Sequence, residues 1–263
     1  MTRQLGFIAL LAIASVANAQ DPWADAVVEY IEGSDPGAGF TDASTALGEP
    51  TRFTVASFGS GPVTPFFAAA GTGDIVSIGE GGSLTVSFDE PVTNDPNNPF
   101  GIDLLVFGNA FLFGSEFPIT PTTTAAGVFN EGGMISVSAN GTDFFDATGV
   151  DADALYPTAG FLAFDDGPGD ATSDFLLPVD PSYNPVGDTP AEIYAAYNGS
   201  GGGAGIDIGL LGLSEISYVR ITNAIGSGVT PEIDGFADVR AVPEPSTLLL
   251  VLAGCGTLLG ARR

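Results

Sequence analysis

The chain of 263 residues contains no histidine and no lysine, and its single cysteine is Cys255. These absences exclude internal disulfide bonds, zinc sites built from Cys and His, and Ser-His or Cys-His nucleophilic catalysis. The formal net charge of −26 argues against nucleic acid as a partner, because an acidic surface repels the phosphate backbone.

The N-terminal 19 residues have the layout of a secretory signal peptide. A positive charge at Arg3 precedes an apolar segment from Leu5 to Val16, and Ala17 and Ala19 form a small-x-small cleavage site. A transmembrane anchor explains this segment less well, because the apolar run is too short to span a bilayer. We therefore predict export and cleavage after Ala19, which leaves residues 20–241 as a single domain before a C-terminal segment, 242–263.

Short β-prone runs follow, separated by glycine and proline. In residues 83–89, Leu84, Val86 and Phe88 alternate with polar residues, which predicts a half-buried antiparallel strand. Residues 102–111 are apolar on both faces, as in an interior strand. Further strands are predicted at 25–31, 52–58, 74–79, 161–164, 217–223 and 235–242. This spacing predicts an all-β fold, a single antiparallel β-sandwich of the jelly-roll type.

Three local patterns refine this prediction. Asn140-Gly141 predicts a hairpin with a two-residue type I′ turn. Thr189 as N-cap, Pro190 at the first helical position and Glu192 two residues later predict one short helix over 189–198. The glycine-rich stretch 199–205 lacks the lysine and the strand–loop–helix context of a phosphate-binding loop, so we predict a tight or flexible glycine loop.

Acidic residues are abundant in the predicted mature body, where three arginines face 31 Asp and Glu. They cluster beside glycine in residues 40–50, 94–103, 164–174 and 231–235. Calcium binds six to eight oxygens from carboxylates, amides and backbone carbonyls, which such loops can supply. The candidate metal ligands are Asp42, Asp103, Asp207 and Asp234. Two interpretations stay open: these acids bind Ca²⁺, the one cofactor that the sequence suggests, or they form a solvated acidic coat.

The C-terminus combines a Pro243-Glu244-Pro245 motif, an apolar run over 247–261, and Arg262-Arg263. The run is shorter than the roughly 20 apolar residues that span a bilayer as a helix. The terminal arginines would stay on the cytoplasmic side, which leaves the body outside. This arrangement predicts a transient association with the membrane through a short hydrophobic helix.

These three parts, in this order, resemble the PEP-CTERM sorting signal of Gram-negative bacteria. The resemblance implies an exosortase-type membrane enzyme as a partner, which would process the chain near Pro243-Glu244-Pro245. It also implies that the protein is exported and becomes a cell-surface or extracellular protein.

The body resembles galactose-binding-like (discoidin-type) jelly-roll domains. The segments that carry this resemblance are FTDASTALGEPT, GSLTVSFDEPV, GIDLLVFGNAF, ISVSANGTDFF and YNGSGGGAGIDIGLLGLSEISYVRI. The resemblance implies the same β-sandwich fold that the strand spacing predicts.

Three functions remain open from the sequence. The first is a non-enzymatic surface or matrix protein that binds Ca²⁺ and glycans, with extracellular polysaccharide as a partner. The second is a purely structural matrix component. The third is a carbohydrate-active enzyme, a glycosidase or lyase, which would use paired carboxylates as acid and base. No catalytic residue can be assigned, because no spacing in the sequence singles out such a pair.

Overall fold

The computed structural model describes residues 21–154 and 156–240. The predicted signal peptide and the C-terminal sorting segment lie outside the described residues. The predictions that fall there concern Ala17, Ala19, Pro243, Glu244, Pro245, Arg262 and Arg263. Within the described ranges, no helix is both long enough and apolar enough to cross a membrane.

The described chain consists mostly of antiparallel β-strands, as the sequence predicts. They are β1 (Ala26–Ile31), β2 (Phe53–Ala56), β3 (Gly59–Pro62), β4 (Val76–Ser77), β5 (Ser83–Thr93), β6 (Leu104–Gly108), β7 (Phe111–Gly114), β8 (Ala125–Phe129), β9 (Gly132–Ser138), β10 (Phe145–Asp153), β11 (Ala204–Ile206), β12 (Glu215–Thr222) and β13 (Glu232–Asp238). Within residues 21–154 and 156–240, helical structure is limited to α1 (Pro190–Tyr197) and three 3₁₀ turns, Ala43–Ala46, Pro99–Gly101 and Ile208–Leu211.

The larger sheet has five strands in the order β1-β5-β12-β9-β10. In β5, Leu84 and Val86 are buried, as the alternation predicts. Thr85 on the opposite face is buried as well, because the Arg220 side chain from β12 covers it and donates a 3.0 Å hydrogen bond to its hydroxyl.

The smaller sheet has four strands in the order β11-β6-β13-β4. Its interior strand β6 is buried on both faces from Leu104 to Phe107, which confirms the prediction from its continuous apolar run. One hydrophobic cluster contains residues of both sheets, among them Val86 and Val219 from the larger sheet and Val106 and Phe236 from the smaller.

Two hairpins stand apart from these sheets. β2 pairs with β3, and β7 pairs with β8. The turn between β2 and β3 exposes Phe58, whose side chain is 72% accessible. These hairpins position several of the aromatic side chains described below.

The helix prediction is confirmed at α1. The backbone N–H of Thr189 donates a 2.9 Å hydrogen bond to the carboxylate of Glu192, and Pro190 occupies the first turn. The helix ends at Asn198, which adopts the left-handed conformation at φ 50°.

The predicted hairpin forms between β9 and β10, but the prediction of a two-residue turn is wrong. Six residues, 139–144, separate the strands. The side-chain oxygen of Asn140 accepts hydrogen bonds of 2.9 Å from the backbone amides of Thr142 and Asp143, which stabilises a wider loop. The predicted strand at 161–164 is also absent, because only an isolated bridge between Phe161 and Thr172 forms there.

The glycine-rich stretch is a tightly packed loop. A Cβ atom on Gly201 would lie 2.0 Å from the ring of Phe175, and one on Gly202 would lie 2.4 Å from the carbonyl oxygen of Pro157. Glycine is needed here because the neighbouring groups leave no room for a side chain. The sequence prediction of a tight glycine loop therefore matches the structure.

Candidate functional site

An aromatic pocket of about 410 Å³ lies beside the β2–β3 hairpin, the start of β7 and the start of β13. Five phenylalanines line it, together with small side chains, one amide and one carboxylate. The lining residues are Phe40, Ser57, Phe58, Phe66, Phe67, Ala68, Ala70, Ile75, Asn109, Phe111 and Glu232. An apolar concavity with a few convergent polar groups is the usual form of a small-ligand site.

The segment after β3 supplies the apolar wall. Thr64 and Phe67 exchange backbone hydrogen bonds of 3.0 and 2.9 Å, which form a tight turn and place Phe66 and Phe67 side by side. The Phe67 ring meets the Phe58 ring edge to face, with centroids 6.2 Å apart. The small side chains of Ala68 and Ala70 leave the space between the rings open.

The polar wall consists of Asn109 and Glu232. Strand pairing places Ile233 opposite Gly108, so the residues next to them, Glu232 and Asn109, lie close together. The Asn109 amide nitrogen donates to a Glu232 carboxylate oxygen, whereas the Asn109 carbonyl oxygen is buried and has no hydrogen-bond partner in the part of the chain that the structure describes. Burial, together with the nearby charge of Glu131, raises the pKa of Glu232 to about 7.

Glycine at position 37 allows Glu232 to reach this place. A Cβ atom on Gly37 would lie 3.1 Å from the Glu232 carboxylate and 3.2 Å from the Phe40 ring. The Gly37 amide donates a 2.8 Å hydrogen bond to the hydroxyl of Ser77 and thereby holds the loop against β4.

Two further acids lie behind Glu232. Asp153, at the end of β10, is fully buried, and burial raises its pKa to about 8, with smaller contributions from Glu131 and Glu232. The amides of Ala110 and Glu131 are near the Asp153 carboxylate but do not meet hydrogen-bond geometry. Burial also raises the pKa of Glu131. Glu131, Asp153 and Glu232 are called the pocket acids below.

The three arginines of the described chain contact other groups. Arg52 pairs with Glu49 and lies 4.0 Å from the centroid of the Phe175 ring. Arg220 lies 3.8 Å from the centroid of the Phe144 ring. Burial raises the pKa of Asp238 to about 6, and the charge of Arg240 opposes this rise. The charged groups that act on Asp153 and Glu232 are other acids, and this like charge helps to raise the pKa values of these two carboxylates.

Two of the predicted metal ligands bind backbone groups. The Asp42 carboxylate accepts from the Ser44 amide at 3.0 Å and the Ser44 hydroxyl at 2.6 Å, which caps the first 3₁₀ turn and lowers the Asp42 pKa. Asp234 is buried and accepts from the Thr51 amide at 2.9 Å and the Thr51 hydroxyl at 2.8 Å, which joins β13 to the segment before β2. Burial raises its pKa to about 7 despite these bonds.

The structure brings the other two predicted ligands together. Asp103 accepts hydrogen bonds from the Asp95 amide at 3.0 Å, the Asn98 side chain at 3.0 Å and the Ile208 amide at 3.1 Å. Burial raises its pKa, and the neighbouring charge of Asp207 adds to this. Asp207 itself caps the 3₁₀ turn Ile208–Leu211 through a 3.2 Å bond from the Leu210 amide.

No three Asp, Glu, His or Cys side chains within residues 21–154 and 156–240 are grouped closely enough to hold a metal ion. Calcium binding by Asp42, Asp103, Asp207 and Asp234 therefore stays a prediction, and Asp103 and Asp207 are the two of these residues that influence each other.

The sequence prediction missed Asn109, Glu232 and the phenylalanines. The acidic segment 231–235 contains Glu232, but the glycine beside Asp234 made Asp234 the predicted metal ligand of this segment. The signal that could have found the pocket is the run Phe66-Phe67 followed by three alanines, which is unusually aromatic for a segment between short strands.

No family model matches this chain, and a search of curated proteins finds no match either.

Proposed function

We propose that this protein is exported and processed by an exosortase-type membrane enzyme, and that it acts at the cell surface or in the extracellular matrix as a non-enzymatic binding protein. Its body would be a β-sandwich of the jelly-roll type. This is supported by the hydrophobic cluster that both antiparallel sheets share. The aromatic pocket would be its ligand site.

The observation that carries the binding function is the composition of the pocket wall. Five phenylalanines surround a single ionisable side chain, Glu232. Aromatic rings and a few polar groups are sufficient to bind and orient a small molecule or the end group of a glycan. A carboxylate-based glycosidase needs two carboxyl groups on opposite sides of the scissile bond. A single lining carboxylate therefore favours binding over hydrolysis.

The enzymatic alternative retains one specific observation in its favour. Glu232 has a pKa near neutrality, which suits a general acid. The charge of Glu131 helps to raise the pKa of Glu232, and Glu232 helps to raise that of Asp153. We expect no hydrolysis of chromogenic glycosides by the purified full-length chain. Turnover that Glu232→Gln abolishes and Glu215→Gln preserves would replace the binding proposal with a glycosidase.

The cellular part of the proposal is tested by replacing Pro243, Glu244 and Pro245 with alanine. Export should continue, because the signal peptide is intact, but processing should stop and full-length protein should accumulate in the membrane fraction. A variant with Pro231→Ala controls for the loss of proline elsewhere. Unchanged size and release of the triple variant would refute sorting by this motif.

The glycan part is tested on a glycan array with and without Ca²⁺. We expect Phe58→Leu to weaken any binding that the pocket provides, because Phe58 is an exposed ring of its wall. Phe145→Leu, at an exposed phenylalanine of β10 outside the pocket, serves as the matched control. Equal binding by both variants would place glycan recognition elsewhere on the protein.

A further inference from the structure

The aromatic pocket has the electrostatic character of a cation site. The face of an aromatic ring carries a negative potential, and five phenylalanines line this pocket. Phe58 and Phe67 both line it, and their ring planes are nearly perpendicular at 84° with centroids 6.2 Å apart. A charged group inside the pocket can therefore contact more than one ring.

Carboxylates add to this negative potential. Glu232 lines the pocket, and the nearby charge of Glu131 helps to raise its pKa. Arg52, Arg220 and Arg240 contact other groups in the described chain. A cation in the pocket would relieve the repulsion among these acids, whereas an anion would increase it.

The chemistry of the wall discriminates among cations. Hard metal ions such as Ca²⁺ take six to eight oxygen ligands, and this wall offers mainly phenylalanine and alanine. An organic ammonium ion carries its charge on an apolar body, which fits rings on one side and a carboxylate on the other. A neutral molecule of the same shape would fill the pocket without using its charge.

We propose that the pocket binds a small organic ammonium ion, with Glu232 as its counter-charge and the Phe58 and Phe67 rings as its aromatic contacts. This inference rests on the proposed binding function and names the ligand class of that same site. Such a group occurs in free quaternary amines and in protonated amino sugars, and the experiment below separates these two sources.

Proton release provides a second signature of the same event. Glu232 faces Asn109, Glu131 and Asp153, and its pKa is about 7, so part of the population is protonated at neutral pH. A bound cation favours the ionised carboxylate and lowers this pKa. Binding at pH 7 should therefore release protons, and a neutral ligand should release none.

The test uses isothermal titration calorimetry on the purified full-length chain with two matched pairs of probes. Choline is compared with its uncharged isostere 3,3-dimethylbutan-1-ol, and glucosamine is compared with glucose. We expect at least one ammonium probe to bind ten-fold or more tightly than its neutral partner. Titration in buffers of different ionisation enthalpy measures the protons released.

Matched variants locate the effect. Glu232→Gln keeps a group that can accept from Asn109 but removes the charge, so it should abolish the preference for the ammonium probe. Phe58→Leu should weaken binding about two- to five-fold, the range for an exposed cation–π contact. Glu215→Gln and Phe145→Leu, at exposed positions outside the pocket, should bind as the parent does. Circular dichroism and melting curves confirm that each variant is folded.

The outcomes separate this inference from the proposed function. Equal binding of charged and neutral probes, or no binding of either ammonium probe, would overturn the ammonium assignment. In that case glycan binding that depends on Phe58, and processing that depends on Pro243-Glu244-Pro245, would still support the surface function. If neither ammonium nor glycan binding depends on Phe58, the pocket is not the ligand site, which rules out the ammonium assignment and the assignment of glycan binding to this pocket and leaves the sorting proposal to its own test.

Discussion

Two groups of carboxylates in this protein have opposite properties, the turn acids and the pocket acids. The turn acids include Asp42, Asp180 and Glu192, whose pKa values are lowered by hydrogen bonds from nearby backbone and hydroxyl groups. The pocket acids have raised pKa values because burial disfavours their charge. The same residue types therefore stabilise turns in one region and create an electrostatic site in another.

The difference is one of distance along the chain. Asp42 and Asp180 each accept from a serine two residues later, so the contact is contained in the local sequence. Glu232 and Asn109 are 123 residues apart and meet because β13 pairs with β6. Acids in turns commonly accept hydrogen bonds from backbone groups a few residues away. A buried acid that has no such local donor, and whose pKa is raised, is a candidate for a functional role.

The largest expected effect concerns pH. Asp153, Asp234 and Glu232 have folded pKa values of about 8, 7 and 7, above their ordinary values of 3.8, 3.8 and 4.5. Between about pH 4 and pH 8 the folded state thus binds more protons than the unfolded state, and stability falls as pH rises. We expect the melting temperature at pH 5 to exceed that at pH 8.5 by roughly 5–10 °C, as measured by calorimetry at constant ionic strength.

The turn acids oppose this trend only at lower pH. Their lowered pKa values contribute stability that is present above about pH 4 and is lost on further acidification. A melting temperature that rises from pH 5 to pH 8.5 would show that the pocket acids do not carry the raised pKa values.

The second prediction concerns Asp234, which combines features of both groups because it is buried yet accepts hydrogen bonds from Thr51. Asp234→Ala at pH 6 should lower the free energy of unfolding by about 2–3 kcal/mol, since it leaves buried donors unpaired. Asp42→Ala, which removes an exposed cap, should lower it by a clearly smaller amount. Urea titration measures both variants, and equal losses would remove the distinction between a buried link and a surface cap.

The part of the fold that could be predicted depends on local pattern. Alternation in 83–89 and the continuous apolar run in 102–111 identified β5 and β6, and Thr189 and Glu192 identified the helix start. The strand Gly59–Pro62 was missed because its residues have low β-propensity and are held by pairing with β2.

The candidate site was largely beyond prediction. Four acids were selected because glycine lies near them, but glycine and aspartate occur together mainly where turns need caps. The residues of the pocket are brought together by strand pairing and by the packing of a loop. Neither of these produces a recognisable pattern within a few residues of sequence. Of the four predicted ligands, Asp103 and Asp207 are the two that lie close enough for one to raise the pKa of the other.

The third prediction tests the buried charge directly. Asp153→Asn should raise the free energy of unfolding at pH 8.5 by about 1–2 kcal/mol, because a fully buried carboxylate with a pKa of about 8 is largely ionised there. At pH 5 the substitution should change stability little, since the native carboxyl is already neutral. Asp180→Asn, at a turn acid, should show no such gain at either pH. A loss of stability at pH 8.5 would mean that the Asp153 charge is stabilised in the fold.

The smallest expected effect concerns calcium, and it tests whether Asp103 and Asp207 have a role beyond the backbone contacts that they make. These two residues are neighbours, and the buried carbonyl oxygen of Asn98, whose amide donates to Asp103, has no hydrogen-bond partner among the described residues. If these oxygens bind Ca²⁺, a ten-fold excess over the dissociation constant should stabilise the protein by about 1.4 kcal/mol. We expect Ca²⁺ to raise the melting temperature by a few degrees more than NaCl of equal ionic strength.

Asp207→Asn should abolish this difference, because asparagine can still cap the following turn but carries no charge. Asp42→Asn, at a cap outside this pair, should preserve it. If NaCl matches Ca²⁺, Asp103 and Asp207 serve only to hold the backbone amides that they accept from, and calcium binding at this pair is ruled out.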